Sequence, residues 1–245
     1  MYAGELVETG VAALVFALVF LAGGRLHPLR WLVRDRRTIV SFGAGMSAAY
    51  VFVHVMPELQ GMRRVLAASA LWRPHFEGML IYFVALVGFL VFYGLDHLRN
   101  RLRGHGAPDE GGSAFLVHIG GFSAYVLLMA YLLVHDVEGD RVSTPIFALA
   151  IAFHFLAVDH LLRSEHGAAY DRLGRYILAG MAVAGWGLGL LVTLPELVLA
   201  LAMAFISGAI IMNSALMELP SEKDGRFLPF VAGGILYGLM LLPLG

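Results

Sequence analysis

Residues 41–59 read SFGAGMSAAYVFVHVMPEL, and almost every position in this stretch is apolar or small. Its ionisable side chains are His54 and Glu58. A helix needs roughly 20 mostly apolar residues to cross the hydrocarbon core of a bilayer, so we expect a membrane span over Ile39–Leu59. Seven further segments meet the same criterion: Leu6–Gly24, Phe76–Leu98, Ala114–Val134, Ser143–Leu162, Tyr176–Leu194, Leu197–Leu219 and Phe227–Leu244.

The composition of the whole chain agrees with a membrane protein. The 245 residues are 59% hydrophobic and 14% charged, whereas soluble domains are ~45–50% apolar and ~25% charged. We therefore predict an all-α polytopic protein whose residues 1–245 form a single transmembrane domain, because barrel strands would be shorter and strictly alternating. The net charge of -1 gives no support for a nucleic-acid partner. The chain has no cysteine, so a metal site would need His, carboxylate or carbonyl ligands.

The positive charges predict an orientation for the eight spans. With the N-terminus outside, thirteen of the seventeen Lys and Arg residues fall in inner connectors. Positive residues concentrate on the cytoplasmic side of membrane proteins. This bias predicts a multi-pass protein of the cytoplasmic membrane with both termini outside.

A weak internal repeat relates spans two and seven. In each, a Phe-x-x-Gly motif is followed by a proline twelve residues after the glycine: Phe42, Gly45 and Pro57 in span two, and Phe205, Gly208 and Pro220 in span seven. The two spans run in opposite directions, as in the inverted repeats of secondary transporters. We predict a 3+2+3 inverted repeat in which spans one to three superpose on spans eight to six. Chance is the alternative, since Gly and Phe are abundant here.

Ionisable residues within the spans are the candidates for chemistry, because each costs ~2.5–3.5 kcal/mol at the centre of a helix. His118, Asp159 and His160 are expected at one depth near the inner ends of spans four and five, with His154 roughly 8 Å closer to the centre. Two imidazoles and a carboxylate suit Zn²⁺ or a similar divalent metal. The alternative is a buried His–Asp pair that only joins two helices.

A second candidate group lies in span two. His54 and Glu58 are four residues apart and therefore share one face of a helix. Pro57 cannot donate a hydrogen bond to the carbonyl of Val53, which leaves an oxygen beside them. This group could bind a metal, complete a metal shell or act as a gate. The alternative is that Glu58 is simply hydrated at the end of the helix.

Two segments resemble the ZIP family of divalent metal transporters. Ser41–Leu59 resembles the second span of that family, and Ala204–Glu222 resembles the seventh. His118 and His154 match the transport-site histidines of spans four and five. The pattern departs from the family where its carboxylates would be, since Phe122 and Val158 occupy those positions and Asp159 follows one step later.

The resemblance implies a secondary transporter, not an enzyme, that moves a divalent cation such as zinc as its substrate and uses no organic cofactor. The expected partners are the metal ion and the lipid bilayer, with a homodimer as an open possibility. Two other functions stay open: a ZIP-fold scaffold or sensor without transport, and a membrane-embedded metallohydrolase with a metal-bound water. Bound metal together with metal flux would distinguish the three.

Overall fold

The computed structural model describes residues 3–25, 36–67, 79–102, 112–135, 144–214 and 226–242. Within these ranges the chain is helical apart from short turns, and no strand occurs in them. The all-α prediction is therefore confirmed. The α-helices of the described residues are α1 Ala3–Ala22, α2 Arg36–Tyr50, α3 Met56–Ala67, α4 Met79–Leu102, α5 Ser113–Leu132, α6 Thr144–Ala169, α7 Arg175–Leu191, α8 Glu196–Met212 and α9 Phe227–Leu241.

Each of the eight segments that the sequence marks as apolar contains helix in its described part. Among the described residues, four stretches are long and apolar enough to cross a membrane: Gly4–Ala22, Met79–Leu102, Ser113–Leu132 and Ile151–Leu191. The helices α8 and α9 are apolar but shorter, and residues 215–219 of the seventh expected span lie outside the described residues. Long apolar helices of this kind are compatible with a membrane protein.

Large apolar side chains lie on the outside of these helices. Leu116 in α5 is 64% exposed, Phe83 in α4 is 60% exposed and Leu239 in α9 is 59% exposed. Such side chains are the ones expected to face lipid tails.

The chain divides into two compact units. The first contains α1, α5, α6, α7 and the part of α4 that starts at Phe92, and in it α7 packs on α5 and α1. The second contains α2, α3, α8, α9 and the part of α4 that ends at Val91, and in it α2 packs along α9 while α3 contacts α8. A single transmembrane domain over the whole chain remains a prediction.

In the second unit, α2 and α9 approach each other backbone to backbone. A Cβ atom built on Gly45 would collide with the backbone oxygen of Phe230, and one built on Gly233 would collide with the backbone oxygen of Phe42. Small residues allow membrane helices to pack this closely. The two glycines therefore determine how near these helices can lie.

The pair α8 and α4 shows the same arrangement within this unit. A Cβ atom on Gly208 would collide with the backbone oxygen of Ala85, and one on Gly88 would collide with that of Phe205. The Phe-x-x-Gly motif of α8 thus contacts two positions three residues apart on α4. The corresponding motif of α2 contacts two positions three residues apart on α9.

A short π-helix, Val51–Val55, joins α2 to α3. Pro57 lies two residues after its end and lacks the N–H that would continue the α-helical pattern back to Val53. Inserted π turns of this type are frequent at functional sites. The irregular backbone at His54 fits the expectation that Pro57 leaves the carbonyl of Val53 without its α-helical hydrogen bond.

The helix α6 extends past Leu162, where span five was expected to end. Helical geometry continues to Gly167, whose φ of 47° and ψ of -119° interrupt it. Glycine adopts such a positive φ without the steric penalty that a Cβ would bring. As a result Glu165 and His166, expected in a connector, lie on the last turn of helix before this break. A second π-helix, Tyr170–Gly174, then leads into α7.

Candidate metal centre

Three side chains of the first unit form a potential metal site. One ligand atom from each of His118, Glu165 and His166 lies within 4.8 Å of the other two. Among the described residues, no other group of three His, Cys, Asp or Glu side chains meets this criterion. His118 lies on α5, while Glu165 and His166 are neighbours on α6. Both imidazoles are buried, and Glu165 is half-buried with 18% of its side chain exposed. The site therefore joins two apolar helices with one edge open.

The distances within this group suit a tetrahedral ion. His118 Nδ1 and His166 Nε2 are 3.0 Å apart and share a hydrogen bond, and His118 Nδ1 is 3.8 Å from Glu165 Oε2. Metal–ligand bonds of about 2.0–2.2 Å in a tetrahedral site place neighbouring ligand atoms about 3.3–3.6 Å apart. The two observed distances lie on either side of that range. Side-chain shifts of a few tenths of an ångström would let an ion replace the shared proton.

Aromatic rings surround the two imidazoles. The Phe115 ring meets His166 edge-on with centroids 5.4 Å apart, and the Phe122 ring meets His118 in the same way at 5.0 Å. Phe122 stands at one of the two positions where the resemblance to the ZIP family implies a carboxylate. The ring supplies no ligand, but it holds the His118 imidazole against the cluster and excludes water from that side.

A buried arginine reaches the cluster from α4. Arg99 is 5% exposed and forms an ion pair through Nη1 with Glu165 Oε2. Its Nη2 lies 2.6 Å from Asp96 Oδ1 and donates a hydrogen bond of 2.8 Å to Asn100 Oδ1. The guanidinium thus bridges two carboxylates, one of which belongs to the candidate metal site.

Asp159 is buried in the same unit but has a different environment from the one expected. Arg163 forms an ion pair with its Oδ1 at 2.9 Å, and the Tyr170 hydroxyl donates a hydrogen bond of 2.7 Å to the same oxygen. Arg163 also pairs with Asp171. The carboxylate charge is compensated by a guanidinium on its own helix, one turn away. Asp159 therefore joins α6 to the π-helix that follows it and is not grouped with His118.

His154 also lies apart from the His118 group. Its Nε2 is 2.9 Å from the Tyr125 hydroxyl, and its side chain is buried. The Tyr125 ring contacts Phe122 and Phe155 at centroid distances of 6.3 and 6.2 Å. Aromatic side chains thus fill the space near His154.

The remaining sequence-based candidates are also outside the group. His160 is half-buried on α6. In the second unit, His54 Nε2 lies 3.8 Å from Glu58 Oε2, which confirms that the two share a helical face, and Tyr50 stacks on the His54 ring. The sequence-based set and the observed group therefore have His118 in common, while Glu165 and His166 are additions from the structure.

A signal for His166 was present in the sequence. Phe155, Val158, Leu162 and His166 recur at intervals of three or four residues, and all four are buried. Gly167 follows as the residue that commonly ends a helix. Extending span five to this glycine would have placed His166 on its buried face. The polar run from Arg163 to His166 concealed this, because it resembles a connector.

The sequence matches no protein-family model, and no curated protein is significantly similar to it.

Proposed function

We propose that this chain is a multi-pass membrane protein that carries a divalent metal cation, zinc or a similar ion, across the bilayer. The observation that supports the proposal best is the group of two buried imidazoles, His118 and His166, and the half-buried Glu165 between two apolar helices. Ionisable groups inside a membrane are costly and mark ion pathways or substrate sites. Two imidazoles and one carboxylate are ligands that zinc prefers.

Among the described residues three ligands are grouped, and this number favours a carrier over a structural metal site. Structural zinc sites are closed by four protein ligands, whereas sites with three keep one position open. A carried ion must enter and leave, so an incomplete shell is an advantage. Glu165, with its partly exposed side chain, is the ligand placed at the open edge.

For the membrane arrangement we propose eight spans with both termini outside, in the cytoplasmic membrane. Four long apolar helices, the exposed leucines and phenylalanines, and the distribution of arginines support it. The polar turn around Gly167, with Arg163 and Arg172 on either side, then faces the cytoplasm. His118 and His166 lie near that inner end.

We also propose an inverted repeat, with a pairing of spans that differs from the one expected from sequence. The glycine contacts of α2 with α9 correspond to those of α8 with α4, which supports the equivalence of spans two and seven. The same correspondence pairs span three with span eight, whereas the sequence-based prediction paired span three with span six. Pro220, the expected counterpart of Pro57, lies outside the described residues.

A membrane-embedded metallohydrolase is the second candidate. Catalytic zinc sites also use three protein ligands and hold a water in the fourth position. The open edge at Glu165 would suit such a water. Metal flux decides between the two candidates, because a hydrolase binds its metal without moving it.

The metal site can be tested by X-ray absorption on purified protein loaded with zinc. We expect one ion per chain, with nitrogen and oxygen ligands at about 2.0–2.2 Å and the multiple-scattering features of two imidazoles. The geometry requires both histidines to bind the same ion. A six-oxygen shell, or a spectrum with a single imidazole, would contradict the proposed site.

A further inference from the structure

Arg99 and Glu165 form an ion pair inside the candidate metal site. We propose that Arg99 is a tethered cation that neutralises Glu165 while the metal is absent. When the metal binds Glu165, the Arg99 guanidinium stays paired with Asp96 alone. This inference rests on the proposed metal site and concerns how that site fills and empties.

Arg99 and a bound metal ion would use the same oxygen of Glu165. Glu165 Oε2 is the atom that lies 3.8 Å from His118 Nδ1, and it is also the atom that pairs with Arg99 Nη1. A divalent ion bound by His118 and His166 would sit beside this oxygen and repel the guanidinium. Metal and Arg99 therefore compete for Glu165.

Glu165 and Arg99 would each be costly to leave without a partner of opposite charge. A carboxylate left without a partner in a low-dielectric region is strongly destabilising. Arg99 is itself 5% exposed and would be equally costly alone. Their ion pair keeps the empty site near neutrality. An empty carrier of this kind could return across the membrane without binding a second ion from solution.

Asp96 already provides a second acceptor for the Arg99 guanidinium. Asp96 lies one turn before Arg99 on α4, with its Oδ1 2.6 Å from Arg99 Nη2. Asn100 donates a hydrogen bond of 3.1 Å to the other oxygen, Asp96 Oδ2, which fixes the carboxylate. When the metal takes Glu165, the guanidinium keeps one anionic partner and needs only a small movement.

Zinc titration of four purified variants tests this inference. Arg99→Gln should bind zinc at least about tenfold more tightly than wild type, since a competitor lowers apparent affinity by the fraction of time the site is blocked. Asp96→Asn should bind more weakly, because Arg99 then holds Glu165 more firmly. Arg99→Lys retains the charge but not the two-nitrogen geometry, so its zinc affinity should lie between those of wild type and Arg99→Gln. The double variant should bind like Arg99→Gln alone.

The double variant separates competition from a general field effect. If Asp96 acts only through Arg99, its substitution has no further effect once Arg99 is gone, whereas independent charges would add. Asp96 is at the edge of the site with 21% of its side chain exposed, so Asp96→Asn remains informative even if Arg99→Gln folds poorly.

The outcomes are distinguishable from failure of the metal site itself. Wild-type binding with equal or weaker binding by Arg99→Gln would overturn the tethered cation and leave the metal site intact. Additive effects of the two substitutions, or unchanged binding by Asp96→Asn, would overturn it as well. If the wild type binds no zinc, both the site and this inference fail.

Discussion

Gly45→Ala should prevent the second unit from folding correctly. The added methyl group would meet the backbone oxygen of Phe230 on α9, and a backbone cannot rotate away as a side chain can. Overpacking typically costs about 1–3 kcal/mol, and more where the neighbour cannot move. Gly208→Ala meets the backbone of Ala85 in the same way and should have a comparable effect. We expect both variants to lose most of the folded protein that can be extracted in mild detergent.

Gly43→Ala is the matched control for this prediction. Gly43 lies on the same helix as Gly45, but a Cβ atom there meets nothing within 4 Å. Alanine is favoured over glycine in a helix interior by roughly 1 kcal/mol, so this variant should be as stable as wild type or more so. Thermal unfolding, followed by circular dichroism, compares the stabilities of Gly45→Ala, Gly208→Ala and Gly43→Ala. Equal stability of Gly45→Ala and Gly43→Ala would mean that α2 and α9 are not in close contact.

The second large effect is expected at the metal ligands. His118→Ala and His166→Ala should each weaken zinc binding by more than the roughly 10–100-fold that loss of a residue behind a ligand costs. Each substitution removes one of two imidazoles and leaves a shell too small to hold the ion. Both imidazoles are buried, so thermal unfolding without metal should accompany the titration to separate lost ligands from lost stability.

Two further variants distinguish this site from the one expected from sequence. His154→Ala should change zinc affinity little, because its Nε2 is engaged by the Tyr125 hydroxyl. His97→Ala, an exposed histidine on α4, controls for loss of a histidine in general. A loss at His154 as large as the loss at His166 would favour the sequence-based site instead.

The helical fold could be predicted from sequence because apolar length is a strong signal. Each segment chosen for its hydrophobic run contains helix in its described part. The close approach of α2 and α9 was not predictable in the same way. The repeat drew attention to Gly45, but which backbone a glycine contacts depends on tertiary packing that local sequence does not encode.

The candidate site was predictable only in part. His118 could be found because a lone histidine in an apolar span is conspicuous. Asp159 looked equally conspicuous, yet Arg163 one turn later neutralises it. Partners four residues apart on a helix are readable from sequence, so this pair could have been anticipated. The ion pair between Arg99 and Glu165 connects two helices that are far apart in the sequence, and no local pattern indicates it.

Zinc flux into liposomes is the most direct measurement of the proposed function. Purified wild-type protein is reconstituted beside His166→Ala, His97→Ala and empty liposomes, with a zinc-sensitive dye inside. If the protein is a zinc carrier, wild type and His97→Ala should show saturable zinc uptake. His166→Ala should take up zinc no faster than empty liposomes. Wild-type protein that binds zinc at His118 and His166 but gives only the rate of empty liposomes would contradict a carrier.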